Sequence, residues 1–182
     1  MIPPIPDLMQ RLPLDERGLP VPYVVFIDAQ GRPRFQLNDS LKIETALHQQ
    51  RCGICGQPMM AQQQWLVGGP ASAFHPRGAY LGTPTHYECL HYALQMCPHL
   101  TGGRVKHLDA QRVKQTSPFG SDIQVKDPTL DTRAVPFFVA VQISGYNLVR
   151  PNADQRYVVP SRPFLAVEYW RDGSQRLWTS SP

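Results

Sequence analysis

Charge is scarce in this sequence. Asp, Glu, Lys and Arg make up 18% of its 182 residues, against 42% hydrophobic residues. That balance excludes a disordered polyelectrolyte, which needs high net charge and few apolar residues. Long apolar runs are missing too: no stretch approaches the roughly 18 consecutive apolar residues of a membrane-spanning helix. The opening stretch, MIPPIPDLMQRLPLDERGLPVP, lacks the basic, apolar, small-residue order of a secretory signal. The expectation is a cytoplasmic protein with no membrane partner. No internal repeat or low-complexity tract is present, which excludes a solenoid or a flexible linker protein. Cysteine is scarce as well, with only four residues. In a reducing compartment a few well-spaced thiols point to a metal site before they point to disulfides.

Proline is plentiful by contrast, at 19 residues. Five of them, Pro3, Pro4, Pro6, Pro13 and Pro20, make residues 1–20 an extended arm with no room for a long helix. The chain is long enough to bury an ordinary core, so a metal need not hold up the entire fold. Beyond the arm, YVVFID and PRFQL flank the turn AQGR and predict a hairpin. NDSLKIETALHQQ follows as a short helix, with Asn38 or Asp39 as its cap and Ile43 and Leu47 on one face. WLVGGPASAF, broken by Gly68, Gly69 and Pro70, reads as two short strands around a turn. Residues 84–97 predict a helix opened by a Thr85–Glu88 capping box and ended by Pro98. Its expected buried stripe is Leu90, Ala93, Leu94 and Cys97. The C-terminal third is read as strands: PFFVAVQIS, RYVVP, and FLAVEYW turning through RDGS into QRLW. On this last hairpin Glu168 and Asp172 alternate with apolar residues and are expected on its solvent face.

The chemistry concentrates in RCGICGQPM at 51–59 and PTHYECLHYALQMC at 84–97. Cys52 and Cys55 have the two-residue spacing that presents both sulfurs to one ion from a tight turn, with Gly53 and Gly56 to allow it. His86 and Cys89, three apart at a helix start, lie on one face beside the positive end of the helix dipole, which favours thiolate. Together they form a candidate Cys3His site for Zn2+. His75 is the rival ligand, since it falls on the expected hairpin; His91 faces elsewhere on the helix, and His99 lies at its wrong end. Cys97, eight residues beyond Cys89, is about 12 Å further along a helix axis and suits an apolar role.

A knuckle, a hairpin and a ligand pair in a first helical turn resemble the layout of treble-clef zinc fingers. The runs GLPVPYVVFIDAQGRPRFQLNDSLKIETALHQQRCGICGQPM and THYECLHYALQMCPHL resemble a group of small phage, prophage and bacterial proteins of uncharacterised activity. That group shares the C-x-x-C-G knuckle and an H-x-x-C-A-x-Y-A helix start. Leu90 and His91 stand where it often has Ala and a polar residue. The resemblance spans about residues 18–100 and implies the same four ligands and a mobile-element origin.

The expected fold is therefore α+β: an N-terminal β-hairpin and helix, a central treble-clef-like zinc element, and a C-terminal antiparallel sheet. Its parts are an arm (1–20), a hairpin, helix and zinc module (21–100), a basic turn-rich linker (101–134) and a β region (135–182) packed with the module as one domain. The favoured function is a structural-zinc binding module, a phage-type accessory protein that engages a host or phage protein and modulates a host machine. The alternative is nucleic-acid binding. Residues 51–114 carry Arg51, Arg77, Arg104, Lys106, Arg112 and Lys114 against Glu88 and Asp109, the whole of the net +4. Arg104, Lys106, Arg112 and Lys114 are the candidate phosphate contacts. A third reading, an HNH-like nuclease with His75 as base, lacks a visible partner for the imidazole. No catalytic set is evident. Edge strands in the C-terminal sheet leave a homodimer open.

Overall fold

The computed structural model describes residues 3–101, 137–152, 155–171 and 173–176. The segment expected to be a linker, 101–134, lies outside them apart from Thr101, as does Asp172. The architecture is α+β. After a short 3-10 turn at Asp7–Met9 in the arm, β1 (Val25–Ile27) and β2 (Pro33–Asn38) form the expected hairpin, with Ile27 opposite Pro33. Helix α1 (Ser40–His48) starts where expected: the Asp39 carboxylate accepts from the amides of Leu41 and Lys42 and so satisfies donors that have no partner inside the helix.

The stretch WLVGGPASAF does not make two strands. It makes β3 (Gln64–Gly68) followed by a short helix, α2 (Pro70–Phe74). Pro70 is the reason: a proline is well placed in a first helical turn, and Gly69 before it is extended. The zinc hairpin expected from the treble-clef layout is thus absent among the described residues. Instead β3 pairs with β4 (Phe138–Ile143), Leu66 opposite Val141. Strands β7 (Ala166–Arg171) and β8 (Ser174–Arg176) complete an antiparallel sheet of order β3-β4-β7-β8. The β7–β8 turn matches expectation, with Gly173 at a positive φ of 72°. RYVVP becomes β6 (Gln155–Pro160), which pairs with β5 (Tyr146–Asn152) in a separate two-stranded sheet. β5 has no counterpart among the expected strands, because Pro151 and the charged Arg150 interrupt its apolar pattern.

The sheet is covered on both faces. Along β4, Val139, Val141 and Ile143 join Leu66, Ile43, Leu47, Ala73 and Val158 in one core. Phe138 and Ala140 point the other way, to Trp65 and Trp170 and to Leu90 and Leu94 of the helix over Tyr87–Met96. A strand with both faces buried reads as continuous apolar sequence, as FFVAV does. Helix α3 (Tyr87–Met96) is followed by α4 (Pro98–Thr101). Its buried residues split between two sides: Leu90 and Leu94 meet the sheet, while Cys89 and Tyr92 meet a third cluster with Met9, Cys52, Cys55 and Met59. Cys97 is half-buried at the helix end rather than in the stripe.

Candidate metal centre

The knuckle is held by backbone. The Gly56 amide donates to the Cys52 carbonyl at 2.8 Å and the Cys52 amide to the Gln57 carbonyl at 2.8 Å. The start of the hairpin clamps the loop from outside: the Tyr23 and Val24 amides donate to the carbonyls of Ile54 and Gly53. The two glycines serve different ends. Gly56 has φ of 73°, a region that L side chains avoid. Gly53 is needed for proximity instead, since a Cβ there would sit 1.7 Å from Thr83 Oγ1. Through this contact, and the Gly53 amide bond to the Pro84 carbonyl at 3.0 Å, the knuckle is fastened to the segment that leads into α3.

That segment also explains why the expected capping box is absent. Thr85 forms a backbone bridge with Trp65 of β3, and its hydroxyl donates to the Trp65 carbonyl. The helix therefore begins one residue later, with His86 at the cap position and no side-chain cap. The freed His86 amide donates to Cys52 Sγ at 3.3 Å, and the Cys55 amide to the same sulfur at 3.5 Å. Such N–H donors steady a sulfur that carries negative charge.

Cys52, Cys55, His86 and Cys89 converge: one ligand atom from each lies within 4.8 Å of all the others, and all four residues are buried. Cys52 and Cys89 have no exposed surface. Cys55 Sγ lies 3.3 Å from His86 Nδ1. Ligands at tetrahedral angles around zinc stand about 3.8 Å apart for two sulfurs and about 3.6 Å for sulfur and nitrogen. The cage fits such an ion to within a few tenths of an ångström at its sulfur–nitrogen edge. Left to themselves, the four groups compete for protons. Burial raises the Cys52 thiol, but hydrogen bonds with Cys55, Cys89 and His86 outweigh burial and hold it far below its ordinary value. Contacts with Cys52 and Cys55, together with burial, push Cys89 far up. Hydrogen bonds to Cys52 and Cys55 push the His86 imidazole up to about 10. A cation at the centre displaces these protons, so its uptake releases them and acid opposes it.

Among the described residues, the other histidines stay outside the cage. His75 is exposed at the end of α2, where its Nδ1 accepts from the Arg77 amide at 3.1 Å. The His91 ring lies against Tyr87 and Trp170. The side chain of His99 lies outside the described residues, as do Arg104, Lys106, Arg112 and Lys114. One expectation is overturned nearby. Glu168 is not on a solvent face: it is 8% exposed, and its carboxylate accepts from Tyr87 Oη and Trp170 Nε1, each at 3.0 Å. α3 lies over that face of β7, which alternation along the strand alone does not reveal.

No family model, no curated protein and no solved structure matches this chain. What the fold and site define is an α+β protein with a buried Cys3His group able to hold a metal ion. No helix among the described residues is long and apolar enough to cross a membrane.

Proposed function

We propose that this chain is a binding module built on a structural zinc ion held by Cys52, Cys55, His86 and Cys89. The single observation that carries the reading is the convergence of these four buried ligand atoms from two segments more than 30 residues apart. Three thiolates and one imidazole fill a tetrahedron and leave no position for water or substrate, which is the mark of a structural rather than a catalytic site. When bound, the ion supplies a cross-link between the knuckle and the start of α3. Around it the chain's own groups are already placed: two backbone amides face Cys52 Sγ, and Gly53 packs against Thr83.

The partner is a macromolecule, and a protein in preference to a nucleic acid. On the resemblance of residues 18–100 to phage and prophage proteins, the proposed setting is the cytoplasm of a bacterial host, where such an accessory protein would redirect or block a host machine. Elemental analysis of purified, tag-free protein tests the scaffold: one zinc per chain is expected, and Cys52→Ser should abolish it. No stoichiometric zinc would end this reading. Affinity capture from host lysate, with and without nuclease, tests the partner. A protein retained after nuclease treatment supports the reading, and loss of every captured species transfers it to nucleic acid.

A further inference from the structure

Two hollows border the first turns of α3 and share Gln63, His86, Tyr87 and Glu88 as a common wall, so they form one cleft. The smaller, about 430 Å3, reaches to Gln142 and Glu168 on the sheet. The larger, about 1060 Å3, runs along α3 past His91 to Gln95 and is bounded by the proline-rich arm. Its wall includes Tyr92, whose buried hydroxyl has no hydrogen-bond partner among the described residues.

The charge of this cleft is one-sided. Asp7, Glu88 and Glu168 line it, and no Lys or Arg among the described residues does, in a chain whose net charge is +4. Glu168 is the decisive member. Among the described residues its two oxygens meet only the neutral donors Tyr87 Oη and Trp170 Nε1, and no cation pairs with it. Buried carboxylates are ordinarily matched by a positive charge, because desolvation without one is expensive. Beside it stand aromatic rings. Trp65 and Tyr87 have centroids 4.9 Å apart, and Tyr87 and His91 5.5 Å apart. Tyr87 is 37% exposed, so part of its surface is open to an incoming group. Carboxylates next to aromatic surface favour a cation carried on an apolar stem, which stacks its methylenes while its head is paired.

We propose that this cleft docks an extended basic segment of a protein partner, with one arginine or lysine side chain entering the smaller hollow beside the hydrogen-bonded Tyr87–Glu168 pair. This rests on the reading of the chain as a protein-binding module, and it gives a reason for protein over nucleic acid: a wall of carboxylates repels phosphate. The larger hollow accommodates the flanking peptide, whose backbone groups can meet the amide side chains of Gln57, Gln63 and Gln95.

The test uses the full-length protein and a blocked pentapeptide, acetyl-Gly-Gly-Arg-Gly-Gly-amide, followed through the indole N–H signals of Trp65 and Trp170 in 1H–15N NMR spectra at low salt. A saturable shift of both signals that weakens as salt is added is expected. The peptide with norleucine in place of arginine should bind at least about tenfold more weakly, since it keeps the stem and loses the charge-assisted bonds. Glu168→Gln should cost about tenfold in affinity. Gln142→Lys, which sets a cation at the half-buried rim, should weaken binding in the same direction and keeps the test valid if Glu168→Gln fails to fold. Absence of a saturable shift, equal affinity for the norleucine peptide, or full affinity in Gln142→Lys would overturn the proposal. Zinc content read on the same samples separates the two readings. Zinc without peptide binding removes the cleft alone, and peptide binding without zinc removes the metal scaffold alone.

Discussion

The two sides of α3 hold it by different means. Toward the sheet, Leu90 and Leu94 pack on Trp65, Phe138, Ala140 and Trp170, and the strands beneath are tied by continuous ladders from β3 to β8. Toward the knuckle, Cys89 and Tyr92 meet Met9, Cys52, Cys55 and Met59. That side is built from loops and a proline-rich arm, and three of its six buried residues are ligand cysteines. Apolar burial of roughly 1.5–3 kcal/mol per large side chain suffices for the sheet side. On the knuckle side the four ligands stand where a larger core would otherwise be needed, which is what small loop-built units require. On the zinc reading proposed above, one helix links a part stabilised by packing to a part that a bound ion would cross-link.

The largest expected effect separates the two parts. Cys89→Ser, or a strong chelator, should remove the ion and release the knuckle, a loss on the order of several kcal/mol. Hydrogen exchange should then show the amides of Gly53 and Gly56 exposed while those of Val139 and Val141 in β4 stay protected. Uniform loss of protection would mean that the two sides are not separable. Next in size, Leu66→Ala in the sheet core should cost about 2–5 kcal/mol in denaturant unfolding with zinc content unchanged. Loss of zinc in that variant would mean that the sheet core also holds the cage together.

Gly53→Ala comes third. The added methyl meets Thr83, so overpacking of about 1–3 kcal/mol is expected. Thr83→Ser in the same chain leaves the clashing hydroxyl and should not rescue it, whereas Thr83→Gly should, as read by thermal unfolding.

Glu44 offers a smaller, pH-dependent effect at the seam between α1 and the β5–β6 pair. Burial raises its carboxyl, but Arg156 and Arg150, paired with it by charge and hydrogen bond, outweigh burial and lower it below 4.5. A carboxylate that is more acidic folded than unfolded stabilises above the unfolded value and loses that contribution as pH falls through the folded one. Glu44→Gln should therefore cost about 1 kcal/mol at pH 7, with the gap to the parent chain closing as pH drops below 4.5. A gap that persists at low pH would assign the effect to packing. Least of all, His75→Ala should leave zinc content and stability unchanged, because His75 is exposed and outside the cage.

Legibility in the sequence followed the range of the interaction involved. Asp39 caps α1 as expected because a cap involves only the next few residues. The β1–β2 and β7–β8 turns were legible for the same reason. Where a distant partner intervened, local rules gave way. Thr85 and Glu88 satisfy the capping-box pattern, yet β3 claims Thr85 and the cap is lost. WLVGG was recognised as strand, but Pro70 turned its expected partner into a helix, and β3 found β4 more than 70 residues away. Glu168 alternates like a surface residue and is buried only because α3 crosses that face.

By itself the sequence determined the donor types and their spacing, Cys52 with Cys55 and His86 with Cys89, since each pair needs only one turn of chain to aim two ligands together. Only the tertiary structure decided that the pairs meet, that Gly53 must be bare because Thr83 occupies its space, and that a carboxylate lies beneath Tyr87. Those are contacts between segments far apart in the chain. Their closeness is a property of the packed sheet and of the helix laid across it, to which no local pattern responds.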